Sequence, residues 1–141
     1  MWFEGLATLA TALFTGAAIY VSLVEHPARL SCGSAVALTQ WRPSYKRGTA
    51  MQAPLAVAGA VLGIAAWLTG SSAVWLIAAL VIGAVVPFTL LVIFPTNHRL
   101  EDEGLDGTSD LALGLLSKWG ALHAVRALLG LLALVMMIFA R

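Results

Sequence analysis

The sequence predicts an all-α integral membrane protein, a four-helix bundle running up-down-up-down, with an interfacial segment between the first two helices. Three observations predict this class. Hydrophobic residues form 60% of the 141 residues and charged residues only 11%, whereas soluble domains carry roughly 25% charged residues. The mean hydropathy is +0.92. Four segments approach or reach the roughly 20 apolar residues that a membrane helix needs. A chain of this length is one domain, here residues 1–141.

The first three predicted spans follow one another closely. The first covers residues 6–24, and the stretch before it carries Glu4 and no basic residue. We therefore expect a retained membrane helix and not a cleaved signal peptide. The second span covers 52–68 and the third covers 74–94. Only the polar sequence TGSS, residues 69–72, separates these two, so they must form an antiparallel hairpin.

The third and fourth spans carry signals for a kink and for a helix cap. Pro87 lies inside the third span and cannot donate to the carbonyl oxygen of Gly83, which predicts a kink. The fourth span covers 119–140. Its helix is expected to start before the membrane, because Thr108 or Ser109 can cap the N-terminal end.

Small residues spaced four apart favour close helix packing in membranes. Gly59 and Gly63 form such a pair in the second span, and Ala12 and Gly16 form a similar pair in the first. A chain rich in alanine and glycine also produces such pairs by chance, so both interpretations stay open.

The distribution of lysine and arginine predicts the orientation. Both longer connections carry basic residues, and the opposite side carries only Arg141. The positive-inside rule then places both longer connections in the cytoplasm and both termini outside, in an inner or plasma membrane. The basic residues of the two connections are Arg29, Arg42, Lys46, Arg47, Arg99 and Lys118.

Several classes of function are excluded or disfavoured. The net charge of +1 provides no basic field for nucleic acid. Cys32 is the one cysteine, so no internal disulfide can form. The sequence contains no CxxC, HExxH, GxGxxG or P-loop motif.

Unusual polar residues collect where the bundle would meet the cytoplasm. Trp119, His123 and Arg126 are spaced i, i+4, i+7 and share one helix face. A buried membrane arginine costs at least ~2.5 kcal/mol unless it finds a partner. Glu25 is the expected partner, because it is the carboxylate nearest that depth on another span. Asn97 is placed at the same end of the bundle.

Two interpretations of this cluster compete. In the first, a Glu25–Arg126 ion pair locks two helices together and the histidines are interfacial. In the second, the cluster is a polar pocket at the cytoplasmic mouth, and two histidines with Asn97 favour this functional interpretation. The aromatic walls of the pocket would be Trp41, Tyr45, Phe88 and Trp119.

A metal site is a further alternative. Glu25, His26 and His123 have the composition of a two-histidine, one-carboxylate iron site. Glu25 and His26 are adjacent, however, and on a helix they point about 100° apart. The residues therefore leave a transition metal (Fe, Cu or Zn) open without requiring one.

The sequence resembles the anthrone-oxygenase-like family of small four-helix membrane proteins. The resemblance is carried by FTGAAIYVSLVEHPARL (14–30), WRPSYKRGTAMQAPLA (41–56), PFTLLVIFPTNHRL (87–100) and LLSKWGALHAVRALLG (115–130). It implies that relatives oxidise anthrones to anthraquinones with O₂ and need no organic cofactor. The residues it singles out are Glu25, His26, Arg29, Asn97, Trp119, His123 and Arg126.

The expected chemistry follows from these residues. Neutral His123 or His26 would remove a proton from an anthrone, and Arg126 with Asn97 would stabilise the oxyanion. The flat substrate would enter from the bilayer and stack against Trp119. Substrate-binding residues are then Trp119, Trp41, Tyr45 and Arg29. The expected partners are the lipid bilayer, an apolar aromatic molecule and O₂, with a homo-oligomer left open.

Two other functions compete with an oxygenase. Small four-helix transporters also carry a glutamate in the first helix, but near the midplane, whereas Glu25 is at the end of its span. A structural or ligand-binding membrane subunit without catalysis is the other alternative. For a purely structural subunit, Glu25 and Arg126 would affect stability alone.

Overall fold

The computed structural model describes residues 1–140, and this range is helical throughout apart from short connections. Four continuous helical segments are each long and apolar enough to cross a membrane: Trp2–Ser31, Ser34–Leu68, Ala73–Glu101 and Asp110–Phe139. We call them the first to fourth membrane helices. No strand occurs among the described residues. The predicted all-α class with four membrane helices is confirmed. Arg141, which the orientation argument used, lies outside the described residues.

The first and third membrane helices are built from several pieces. The first consists of α1 (Trp2–Tyr20), a π-helical segment (Val21–Glu25) and α2 (His26–Ser31). The second is the single helix α3 (Ser34–Leu68). The third consists of α4 (Ala73–Gly83), α5 (Val85–Phe88), a second π-helical segment (Thr89–Ile93) and α6 (Phe94–Glu101). The fourth is α7 (Asp110–Phe139).

Each π-helical segment comes directly before an X-Pro pair. Pro27 follows the first segment and Pro95 follows the second. Proline has no N–H and its ring clashes with the carbonyl four residues earlier, so the preceding turn widens. The side chains that follow these turns, His26 and Asn97, are buried in the bundle. The prolines thus help to place two of the predicted site residues.

Pro87 coincides with another irregularity in the third membrane helix. Helix α4 ends at Gly83 and α5 begins at Val85, with Ala84 between them outside the helical pattern. The carbonyl of Gly83 lacks the donor that a residue other than proline would supply at position 87. The helix is therefore interrupted where the sequence predicted a kink.

Helix α3 is longer than expected. Its 35 residues extend over about 52 Å, and the expected interfacial segment, which includes residues 41–47, lies within the first half of this continuous helix. Arg42 fixes this half to the end of α6, because its guanidinium donates to the carbonyl oxygens of Leu100 at 3.0 Å and Asp102 at 2.7 Å. Only Cys32 and Gly33 separate α2 from α3.

Helix α7 begins with the cap that the sequence suggested. The Ser109 hydroxyl accepts a hydrogen bond from the Ala112 backbone N–H at 3.1 Å. Asp110 lies in the first turn, where a negative charge suits the helix dipole.

Small residues bring the helices together at the centre of the bundle. A Cβ added at Gly59 would lie 2.6 Å from the Thr11 hydroxyl oxygen, and one added at Gly63 would lie 2.9 Å from Ala79. The Gly59–Gly63 pair therefore marks close helix contacts. A Cβ at Gly16 would meet nothing within 4 Å, so the Ala12–Gly16 pair marks no such contact at the glycine.

Candidate active site

A cavity of about 630 Å³ lies between the first, second and fourth membrane helices, toward the end where α1 passes into the π-helical segment. Helix α7 contributes three side chains at helical spacing, so one face of this helix forms a wall of the cavity. The predicted wall residue Phe88 does not line it and packs instead against the hydrophobic cluster that contains Trp41 and Trp119. The lining residues that matter for chemistry are Glu25, Tyr45, Gln52, Trp119, His123 and Arg126.

Trp119 lies at the centre of the site. Its ring centroid is 4.9 Å from that of His123 and 5.0 Å from that of His26. The edge of Trp41 meets it at 5.7 Å, and the Arg29 guanidinium lies 5.7 Å from its centroid. The predicted residues from the first, second and fourth helices therefore do converge, around one indole.

His123 has the geometry expected of a base. It is 3% exposed and lines the cavity. Its Nδ1 lies 3.1 Å from the Ser22 hydroxyl oxygen, and its Nε2 forms no hydrogen bond with the described residues. Ser22 belongs to the first π-helical segment, so the irregular turn supplies the group that orients the imidazole.

His26 occupies a different position. It is buried, and its Nε2–H donates to the Leu116 carbonyl oxygen at 2.9 Å. The ring packs so closely on α7 that a Cβ at Gly120 would lie 2.6 Å from it. His26 does not line the cavity. The structure thus brings both histidines to Trp119 but presents only His123 to the cavity.

The expected ion pair between Glu25 and Arg126 is wrong. Arg126 is 8% exposed, lines the cavity, and donates to the side-chain amide oxygen of Gln52 at 3.3 Å. Its guanidinium lies 5.6 Å from the centroid of Phe14. Phe14 precedes Glu25 by 11 residues, about 16 Å along a helix, so Arg126 lies too deep to reach that carboxylate.

Glu25 instead forms a cluster at the rim of the cavity. One carboxylate oxygen, Oε1, accepts from Arg29 at 2.6 Å, from Gln40 at 2.9 Å and from the Ser44 hydroxyl. Arg29 is four residues along the same helix, where an oppositely charged side chain is a natural neighbour. Arg29 also donates to Ser44 at 3.2 Å. This cluster joins the first and second membrane helices.

Three predicted residues form the layer next to Trp119. Trp41 is fully buried and stacks on Tyr45, with ring centroids 4.8 Å apart and planes 1° from parallel. Tyr45 lines the cavity, whereas Trp41 and Asn97 do not. The buried Asn97 amide lies close to the Tyr45 hydroxyl, but neither of its polar atoms forms a hydrogen bond with the described residues. Trp41 and Asn97 therefore lie behind the wall that Tyr45 presents.

The proposed metal ligands do not assemble into a binding site. In the part of the chain that the structure describes, no group of three His, Cys, Asp or Glu side chains could hold a metal ion. Each candidate has a different partner: Arg29 for Glu25, the Leu116 carbonyl for His26 and Ser22 for His123. The donor set therefore does not fit a two-histidine, one-carboxylate centre.

The site also contains residues that were not selected from the sequence. Gln40, Ser44, Gly48 and Gln52 are spaced four apart, lie on one face of α3 and all line the cavity. The regular spacing was a readable signal. The predicted second span begins only at residue 52, however, and periodicity has meaning only within a recognised helix.

The fold and the cavity define a small protein of four membrane-type helices with a buried histidine–arginine–aromatic site at one end of the bundle. A sequence profile of the anthrone oxygenase family matches residues 41–136. An anthrone oxygenase of Claviceps purpurea (strain 20.1) is 30% identical over 146 residues, which cover 93% of this chain and 84% of the relative. The chain belongs to the anthrone oxygenase family. No solved structure matches it.

Proposed function

We propose that the protein is a membrane-embedded oxygenase that uses O₂ on an apolar aromatic substrate of the anthrone or hydroquinone type. One observation carries this proposal: His123, whose Nε2 has no hydrogen-bond partner among residues 1–140, lines the same cavity as Arg126 and Trp119. Family membership supports the same class of reaction.

The first step is proton removal from the acidic CH₂ of the anthrone. With Nδ1–H donating to Ser22, His123 carries its lone pair on Nε2 and can accept that proton. The negative charge moves to the carbonyl oxygen of the substrate. Arg126 lies in the cavity without a carboxylate partner among the described residues, so its charge is available to stabilise this oxyanion. Asn97 does not line the cavity and lies behind Tyr45, so its part is to support that wall and not to contact the oxyanion.

The second step is oxidation of the carbanion by O₂. The anion forms a C–O bond and O₂ is reduced to a bound peroxide. The imidazolium of His123 returns its proton to the peroxide. The remaining C–H proton is then removed as the O–O bond breaks, and the departing hydroxide takes up a proton to leave as water while the carbon becomes the second carbonyl. One anthrone and one O₂ give one anthraquinone and one water. The oxidant is O₂ itself, and we propose that neither an organic cofactor nor a metal takes part.

Oxygen uptake by the purified protein with an anthrone tests the proposal. We expect one O₂ consumed per quinone, and one ¹⁸O atom from ¹⁸O₂ in each quinone. His123→Ala should lower kcat by about 100-fold or more, because a positioned base is lost. His98→Ala is the matched control, since His98 is exposed and outside the cavity. A His123→Ala variant with wild-type activity would show that His123 is not the base.

Elemental analysis of wild-type protein and of a His26→Ala/His123→Ala variant tests the metal-free route. The expected result is no stoichiometric transition metal in either protein. A stoichiometric metal that disappears in the double variant would overturn the cofactor-free step and assign the histidines to a metal.

We also propose that the protein lies in an inner or plasma membrane, with the site end of the bundle toward the cytoplasm and both termini outside. The support is the excess of Lys and Arg in the segments at the site end.

A further inference from the structure

The cavity reaches the outer surface of the bundle between α1 and α3. Tyr20 and Met51 line the cavity, yet their exposed fractions are 56% and 52%. A side chain that borders a cavity and is also largely exposed marks an opening. We propose that the substrate enters sideways from the lipid through this opening, which we call the portal and define by Tyr20, Val21, Gly48 and Met51. The inference rests on the proposed function for the identity of the substrate.

The portal lies at the border between the charged end of the bundle and its apolar part, because Gly48 follows Arg47 directly while Tyr20 and Met51 lie farther from the charges. Tyr20 precedes Glu25 by five residues and Met51 follows Arg47 by four, about 8 Å and 6 Å along the helices. Glu25 and Arg47 are the charged residues nearest to the portal along each helix at this end of the bundle. The tyrosine and the methionine therefore lie on the membrane side of the charges, where aromatic and apolar groups meet lipid.

The packing of α1 against α3 explains why an opening exists at this level. The two helices touch at Thr11 and Gly59, where an added Cβ would lie 2.6 Å from the hydroxyl oxygen. At Gly48 the one atom near an added Cβ is Gln52 Nε2, at 3.9 Å. The lining residue on the facing helix, Ala17, is also small. Close contact at one level and small side chains at the other leave a gap between the helices.

The aqueous end of the cavity is bridged by hydrogen bonds. Glu25 on the first membrane helix accepts from Gln40 and Ser44 on the second, and Arg29 also donates to Ser44. Among the described residues no hydrogen bond joins α1 to α3 at the portal. Gln40, Pro43 and Arg47 also line the cavity and are exposed, so the cavity is open toward the charged end as well. An apolar molecule would meet the polar Glu25 cluster at that end, whereas at the portal it meets the aromatic and apolar side chains of Tyr20 and Met51.

Labelling of single cysteines tests the portal. Three single-cysteine variants are made in a Cys32→Ser background: Gly48→Cys, Gln40→Cys and Leu91→Cys. For each variant, kcat/KM is measured before and after reaction with a bulky maleimide. Gly48 has room for a side chain, Gln40 lies at the aqueous end, and Leu91 is 77% exposed on the third membrane helix, away from the cavity. Met51→Cys is the second portal variant, should Gly48→Cys fold poorly.

The expected result is a fall in kcat/KM for anthrone of about 10-fold or more when Gly48→Cys is labelled in lipid nanodiscs. For Leu91→Cys, kcat/KM should be the same before and after labelling. A loss on labelling Gln40→Cys, with Gly48→Cys and Met51→Cys unaffected, would overturn the portal and place access at the aqueous end.

A second measurement does not depend on oxidation of the substrate. The rate at which the maleimide labels Gly48→Cys is measured with and without 9,10-anthraquinone, a flat aromatic that O₂ does not consume. We expect slower labelling in its presence, and no protection of Leu91→Cys. Protection without any anthrone oxidation by wild-type protein would support the portal and refute the proposed reaction. Labelling rates that are the same with and without 9,10-anthraquinone, at both Gly48→Cys and Met51→Cys, would overturn the portal.

Discussion

Arg126 is a buried cation whose one hydrogen-bond acceptor among the described residues is a neutral amide, that of Gln52. A buried arginine in a membrane usually faces a carboxylate or a functional cavity. Here Glu25, the carboxylate that the sequence predicted as its partner, forms an ion pair with Arg29 instead. The charge of Arg126 therefore remains available to a ligand. Spacing along one helix correctly grouped Arg126 with His123 and Trp119, but it could not give the relative depth of Glu25 on another helix.

Two substitutions of Gln52 distinguish the contribution of the Arg126 charge to catalysis from the contribution of its position. Gln52→Leu should lower kcat/KM by about 10-fold, because the guanidinium loses the acceptor that holds it. Gln52→Glu should form a stronger pair with Arg126 and keep or raise Tm, yet lower kcat/KM further, because the charge is now neutralised. Steady-state kinetics and thermal unfolding of both variants measure this. Full activity in a more stable Gln52→Glu protein would assign the pair to structure alone.

The His26 ring packs against Gly120 at a distance that leaves no room for a side chain. Gly120→Ala should displace the His26 ring, break its hydrogen bond to the Leu116 carbonyl and lower stability by about 1–3 kcal/mol. Gly114→Ala on the same helix is the matched control. A Cβ there meets nothing within 4 Å, so alanine should leave Tm unchanged or raise it. Chemical or thermal unfolding in detergent compares the two. Equal Tm values would contradict the tight packing of His26.

At the scale of elements, the prolines and the long second helix decide how the site is assembled. The sequence signalled the proline-related break in the third membrane helix, because the missing donor of Pro87 is a local property. The length of α3 was not signalled by hydropathy. Its first half carries Arg42, Lys46 and Arg47, and a hydropathy pattern detects apolar composition, not helicity. The face of α3 that lines the cavity was consequently missed.

Arg42 holds the first half of α3 against the third membrane helix. Arg42→Ala removes two hydrogen bonds to carbonyl oxygens at the end of α6. Each bond is worth about 0.5–1.5 kcal/mol, or more when the donor is charged. Amide hydrogen exchange should therefore quicken over residues 34–45 and 97–102, and kcat/KM should fall because Tyr45 and Ser44 lie on this half. Lys46→Ala is the control, since Lys46 is exposed and forms no hydrogen bond among the described residues. Unchanged exchange in Arg42→Ala would show that packing alone orders this segment.

At the scale of the whole molecule, hydropathy was sufficient for the four-helix class. The four membrane helices follow from four apolar segments along a chain in which 60% of the residues are hydrophobic and few are charged. The grouping of polar residues at one end follows from up-down connectivity, because the ends of alternate helices must meet. What remains to be measured at this scale is the side of the membrane that the site end faces.

Cys32 allows that orientation to be measured directly. It is the one cysteine of the chain, it is exposed, and it lies in the short α2–α3 connection at the site end. If the basic residues hold this end in the cytoplasm, a membrane-impermeant maleimide should label Cys32 in lysed cells and not in intact ones. Ser72→Cys in a Cys32→Ser background reports the opposite end, because Ser72 is exposed in the turn between α3 and α4. It should be labelled in intact cells. The reverse pattern would place the site outside, and the acidic residues of 101–106 would then have to be weighed against the basic ones in explaining the topology.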